Sequence, residues 1–225
     1  MNTPRRSNPA TAATTAWSSR RVTPSHTVSS ESSSSSLPDP ATVFSSSTGD
    51  PLNCHQLCEA LAAPQRMVSP TKFTNSVHNA AAGYWHIATR SMQASTSIGA
   101  FDASFGAGLL EAMSQLATGG EPVLLVACDV PYPEPLNAVR TLLDSFGVAL
   151  VLAPAGAGDA AGPLLCVEPA GDASPTSCTA PALETVRTGI PAARALPLLQ
   201  ALARGGRAAV VVDGLPGAAL RITLG

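Results

Sequence analysis

The sequence is short of charge and of aromatic rings: charged residues make up 12% of its 225 positions and aromatics 4%. A formal net charge of −2 and a pI near 6.0 leave no basic field, which argues against a nucleic-acid binder or a membrane-surface protein. Long hydrophobic runs are missing too. Val123–Cys128 is strand-length, far from the roughly 20 apolar residues that cross a bilayer. Arg5 and Arg6 are not followed by an apolar stretch, so the N-terminus does not read as a secretory signal. The five cysteines (Cys54, Cys58, Cys128, Cys166 and Cys178) are odd in number and mostly in apolar contexts, which suits a reducing compartment better than a disulfide scaffold. The expectation is a soluble, cytoplasmic protein.

What is present is small and flexible: Ala, 18 Gly and 20 Pro, a mixture that suits close small-residue packing plus loose segments. Residues 1–41 are rich in Ser, Thr, Pro and Ala, and such a stretch buries too little apolar surface to offset its ordering entropy. It reads as a disordered tail, mildly basic through Arg5, Arg6, Arg20 and Arg21. Residues 42–225 read as the folded body, with 160–225 as a less defined lobe.

Within that body a short strand around Val43 runs into a Gly-Asp turn. Leu52–Ala63 suits a helix with Cys54, Leu57, Cys58 and Leu61 on one apolar stripe, ended by Pro64. Ser69–Asp129 then reads as a buried loop, a short helix at Tyr84–Arg90, a strand within Met92–Ser97, a sharp turn, a packed helix and a second strand. Phe101, Phe105, Leu109, Met113 and Leu116 recur at helical spacing and are closed by Gly119–Gly120. Val123–Cys128 has the continuous apolar character of a buried strand. Farther on come a helical Leu136–Leu143, a strand Gly147–Ala153 with Leu164–Glu168 as its hairpin partner, and a surface loop over Ala170–Pro181. A helix over Pro191–Arg204 with Pro197 as kink or restart and two closing strands, Ala208–Asp213 and Ala218–Leu224, complete the chain. Alternating strands and helices of these lengths argue for a layered α/β domain, and no fixed-period repeat is present.

Several chemical readings fall away on spacing. Cys54-His55-x-x-Cys58 lies on a helix stripe with no second ligand pair, so no metal is expected. The Gly/Ala-rich run over 155–162 lacks the strand–loop–helix order and the Lys of a phosphate loop. Ser95–Ser97 sit in no nucleophile elbow. Cys128–Asp129, at a strand end, reads as packing plus a turn. His78 reads either as a base for Asp102 or Ser76, or as a structural histidine fixing its loop by hydrogen bonds; His86 supports no catalytic role. Asp102, at the head of the Phe101 helix, reads as an N-cap accepting from the first turn, in a place where the helix field favours an anion.

Ser69–Pro70, the string SVHNAAAGYW (76–85), Ala100-Phe101-Asp102-Ala103-Ser104, Glu111, Ala112, Gly119 and the run PVLLVACDVPYPEPL (122–136) resemble, in an unbroken register, the nucleophile-bearing part of the β-ketoacyl synthases. Within that family the likeness is to short chain-length-factor proteins of aryl-polyene, fatty-acid and polyketide systems. In this register Asp102 falls where the synthases carry their reactive cysteine. A carboxylate is a poor substitute for a thiolate in acyl transfer.

The resemblance implies half of a thiolase-like layered α/β/α fold, no bound cofactor, and a C-terminal half with two catalytic histidines that this length does not accommodate. It implies no catalytic residue here, with His78, Asn79, Phe101 and Asp102 lining a substrate or partner surface. The implied role is an accessory subunit of a ketosynthase and its acyl carrier protein, in a homo- or heterodimer. In that role the sharper reading of Asp102, beside the N-cap, is that its carboxylate mimics a charged or acylated intermediate; the alternatives to the role are an acyl-thioester decarboxylase or hydrolase using Asp102, or a relic without activity.

Overall fold

The computed structural model describes residues 10–14 (backbone only), 39–155 and 162–225. In chain order these are β1 (Ala10–Thr14), β2 (Ala41–Ser45), α1 (Pro51–Ala62), α2 (Pro70–Thr74), α3 (Ala80–Thr89), β3 (Ser95–Ile98), a 3-10 turn (Phe101–Ala103), α4 (Ser104–Gly119) and β4 (Val123–Asp129). Then follow α5 (Leu136–Val139), β5 (Phe146–Pro154), β6 (Leu164–Gly171), α6 (Pro181–Gly189), a second 3-10 turn (Pro191–Ala195), α7 (Leu196–Arg204), β7 (Ala208–Val212) and β8 (Ala219–Leu224).

The strands form one sheet in the order β3-β2-β4-β5-β1-β6-β8-β7. β2 runs parallel to both β3 and β4, and the remaining pairs are antiparallel. The β2–β3 crossover carries α1 to α3 and the β3–β4 crossover carries α4, as parallel neighbours require a long connection. Alternation along β4 buries Val123, Leu125, Ala127 and Asp129 on one face and half-buries the residues between them. That inner face meets Phe105, Leu109, Ala112 and Leu116 of α4, with Leu198 of α7 and Ile222 and Leu224 of β8 in the same core.

Laid flat, eight strands would span about 34 Å, yet α4 reaches both edges of this sheet. Gln115 Nε2 donates to Thr96 Oγ1 on β3 at 3.0 Å. Gly106 lies against the carbonyl of Asp213, just past β7, so that an added Cβ would stand 2.2 Å from that oxygen. The sheet therefore curls around α4. Gly108 meets Ser45 and Leu125 just as closely, and small residues on this helix face are what permit the approach.

Helix ends follow their residues. Asp50 Oδ1 accepts from Asn53 N at 2.9 Å and Pro51 opens α1; Gly120 in the left-handed region ends α4. Pro197 falls in the first turn of α7 and restarts the chain as an α-helix after the 3-10 turn.

Six expectations change. Ala10–Thr14, within the stretch read as a disordered tail, is a strand between β5 and β6; the other residues of 1–38 lie outside those described, as does most of the 155–162 run. Gly147–Ala153 and Leu164–Glu168 are therefore not hairpin partners, because β1 separates β5 from β6. The stripe of α1 splits: Leu57 is buried, with Pro51 and Asn53 beside it, while Cys54, Cys58 and Leu61 are exposed. The segment after Ser69 is a short exposed helix, not a buried loop. Phe101 leaves the α4 stripe and is exposed. Residues 181–189, read as the end of a loop and a gap, form α6, opened by Pro181.

Gly106→Ala should destabilise the fold by about 1–3 kcal/mol, the cost of overpacking against a backbone atom. Gly119→Ala, which meets nothing within 4 Å, should be neutral or gain up to about 1 kcal/mol. Urea unfolding of the two variants checks the pair.

Candidate functional site

The four candidate residues gather around the start of α4 and the α2–α3 segment. Asp102 sits in the 3-10 turn that precedes α4, and neither that turn nor α4 has a side-chain cap. Ser104 closes the turn in its place: its Oγ accepts from Ala100 N at 3.0 Å and donates to the Phe101 carbonyl at 2.7 Å. The N-cap reading of Asp102 is thus corrected, since the carboxylate points away to two guanidinium groups. Arg140 Nη2 lies 2.8 Å from Oδ1 and Arg194 Nη2 lies 3.4 Å from Oδ2.

These contacts begin an alternating chain of six charges. Arg194 Nη1 donates to Asp213 Oδ1 at 2.5 Å, and Arg187 Nη1 to Asp213 Oδ2 at 3.1 Å. Arg187 then holds Glu184 bidentately, Nε to Oε2 at 2.8 Å and Nη2 to Oε1 at 2.7 Å. The Arg187 fork and the Cys178 N–H, which donates at 2.7 Å, pull the Glu184 carboxyl down to about 2 from its ordinary 4.5. Burial works against the charge of Arg140, but hydrogen bonds to Asp102 and Tyr132 outweigh it and raise its pKa. Arg140 therefore stays charged, and charge-assisted bonds of this kind are the strong ones.

Beside this chain, Asp129 at the end of β4 is 1% exposed. Its Oδ1 accepts from Ser47 N at 2.6 Å, Ser46 Oγ at 3.1 Å and Thr48 N at 3.2 Å, and its Oδ2 from Ala192 N at 2.8 Å. Burial pushes its pKa up, and these donors pull against that. Read from sequence as packing plus a turn, Asp129 instead organises the site. Nothing in the sequence marks it beyond an acid at the end of an apolar strand.

Phe101 adopts φ 52° and its ring lies 3.5 Å below the Arg140 guanidinium, a cation–π contact. Arg140 also reaches Ser47 Oγ at 2.9 Å. Sequence reading passed over Arg140, Arg187 and Arg194, because single arginines scattered over separate segments carry no periodic signal.

His78 and Asn79 form a second group. His78 makes no hydrogen bond to a described residue, so the expectation that it fixes its loop by such bonds is not met. Its Nε2 packs over Gly99, where a Cβ would stand 2.8 Å away. With Phe44, Ser46, Val77, Tyr84 and Cys128 it lines a cavity of about 210 Å³. Burial first, and Asp129 second, push the Cys128 thiol up, so it faces the cavity as a neutral group. Asn79, at the head of α3, makes no capping bond and borders a shallower hollow with Tyr84 and Ile87. His78 is not hydrogen-bonded to Asp102, whose two oxygens are already engaged by arginines. The histidine with structural bonds is His86: its Nδ1 pairs with the Ser91 carbonyl at 3.2 Å and its Nε2 with Thr42 Oγ1 at 2.9 Å. Among the described residues no three His, Cys, Asp or Glu side chains are grouped to hold a metal, and no helix is long and apolar enough to cross a membrane.

Compared with known families, residues 3–212 match the model described as "Beta-ketoacyl synthase, N-terminal domain". No curated protein matches the sequence. Among solved structures, the chain is similar to one from the complex of the ketosynthase ApeO with its chain length factor ApeC from Xenorhabdus doucetiae. The identity is 27%, the TM-score 0.62, and the match covers 82% of this chain and 69% of that one. A chain of the ishigamide ketosynthase/chain length factor matches at 13% identity and TM-score 0.62, over 85% of this chain and 74% of that one. That second likeness is one of fold.

Asp129→Ala leaves several donors without an acceptor and should cost about 3 kcal/mol or more. Asp102→Asn, at a half-exposed ion pair, should cost about 1 kcal/mol. Glu184 is held at about 2 against 4.5. Its contribution to stability is fully present above pH 4.5 and is lost as the pH falls toward 2. Acid unfolding of Glu184→Gln should therefore show a flatter limb in that window than the parent chain.

Proposed function

Because this chain belongs to the family of β-ketoacyl synthase N-terminal domains, we propose that it serves as a chain-length-factor-like subunit without a condensing nucleophile. It acts with a ketosynthase and an acyl carrier protein in fatty-acid, aryl-polyene or polyketide synthesis. What supports the reading is Asp102, which the sequence resemblance sets where the family carries its cysteine and whose oxygens are committed to Arg140 and Arg194. Such a group offers neither a thiolate nor a free base to an acyl thioester. A hydrolase or decarboxylase built on Asp102 and His78 finds no support in a geometry that leaves the two unbonded. Supporting the choice of partner, the structural relatives above come from assemblies of a ketosynthase and a chain length factor.

The surface for that partner is the β3 edge. Ala94 O and Ile98 O accept from Thr42 N and Ser46 N of β2 and the turn after it. By strand alternation the N–H and C=O groups of Ser95 and Ser97 then face outward. The opposite edge is closed, because Thr176 N donates to Val211 O at 2.8 Å and Val211 N to Thr176 Oγ1 at 2.9 Å. Met92, just before β3, is exposed, and so are Phe73 on α2 and Tyr84 and Ile87 on α3; exposed apolar side chains in number favour an interaction surface.

A tagged full-length chain expressed in its native host should bring down a ketosynthase at fixed stoichiometry, read by mass spectrometry and light scattering. A monomer with no ketosynthase or carrier protein would overturn the reading. Ser97→Pro removes an outward N–H and leaves the bonds to β2 in place, as proline at an edge strand allows. It should abolish capture while the melting temperature stays within a few degrees.

A further inference from the structure

Phe101 combines three features that ordinary folding does not favour together. It is a bulky side chain in the left-handed region, at φ 52°, where such residues are genuine outliers. It is 64% exposed, so the strain is not exchanged for burial in the core. And it is held there: Arg140 covers one ring face at 3.5 Å, Asp102 and Ser47 fix Arg140 at 2.8 and 2.9 Å, and Ser104 Oγ fixes the Phe101 carbonyl. Strained backbone persists where its surroundings over-determine it, and such places cluster at functional sites.

We propose that Phe101 is a pre-organised aromatic anchor for the ketosynthase subunit, and that Asp102 is its positioning residue, acting through Arg140. The inference rests on the accessory-subunit reading and deepens it by naming the contact. Phe101 stands three residues beyond Ile98, the end of the open β3 edge, and Met92, 95% exposed, stands three residues before its start. The two residues bracket the pairing strand along the chain, which brings the exposed ring of Phe101 next to the end of any strand that adds to β3. Aromatic anchors near the centre of an interface carry much of its binding energy, and holding one in its bound conformation lowers the ordering cost of association. On this account the carboxylate at the nucleophile position has become part of a clamp: it sets Arg140, and Arg140 sets the ring.

The decisive variant is Phe101→Gly, because glycine relaxes the left-handed backbone. With the full-length chain and the ketosynthase that co-purifies with it, affinity should fall roughly thirtyfold, the loss expected of a central anchor, while the melting temperature holds or rises. A purely structural Phe101 would give the reverse, a lower melting temperature with affinity intact. Asp102→Asn should weaken binding several-fold in the parent chain and have no further effect in the Phe101→Gly background, the coupling that a positioning role demands. Phe101→Gly binding within twofold of the parent, or additive effects of the two substitutions, would overturn the proposal and leave the accessory role standing. A parent chain that captures no ketosynthase would overturn both.

Discussion

The buried carboxylate of Asp129 is the point on which the site's geometry turns. It gathers the N–H groups of Ser47 and Thr48 after β2 and that of Ala192 in the second 3-10 turn, two segments far apart in the chain. Fixing Ala192 sets the path of Arg194 two residues on, and Arg194 bonds Asp102. Asp102 bonds Arg140, and Arg140 returns to Ser47. The contacts thus close a ring through both carboxylates, and each link is positioned by the next. Arg140 Nε and Arg194 Nε are left without a partner in it, but a closed polar network of this kind still favours one arrangement where apolar packing alone would tolerate several.

That ring also explains what holds an acid at the head of α4 in this scaffold. An isolated carboxylate at the head of α4 would be a local cap and little more. Here it is neutralised by two arginines drawn from distant parts of the chain, one of which continues through Asp213 to Arg187 and Glu184. The charge is structural in its consequences, because it couples the α4 turn to the far end of the curled sheet.

Much of the architecture was legible in the sequence, because local signals and final packing agree. The α4 stripe Phe105–Leu109–Leu116, the Gly120 stop, the β4 run and the Pro197 restart are each dictated by periodicity or backbone chemistry, and each is where those rules place it. Legibility ended where tertiary contacts decide. Ala10–Thr14 has no apolar periodicity and becomes a strand because β5 and β6 leave a gap for it. The α1 stripe splits because hydrophobic spacing says which residues share a face but not how much of that face is covered. At the site, the motif located Asp102, Phe101, His78 and Asn79, yet the capping role assigned to Asp102 was wrong, since its partners lie 38 and 92 positions away along the chain.

The two margins of the sheet differ in one respect with consequences for assembly. At β7 the chain's own Thr176 occupies the outermost hydrogen bonds, whereas no strand among the described residues pairs with the outer side of β3. A sheet with two free margins is a template for endless addition. With the β7 margin sealed from within, the strand addition proposed at β3 would exhaust the sheet's valence, so that growth would terminate at a pair instead of propagating into a fibre.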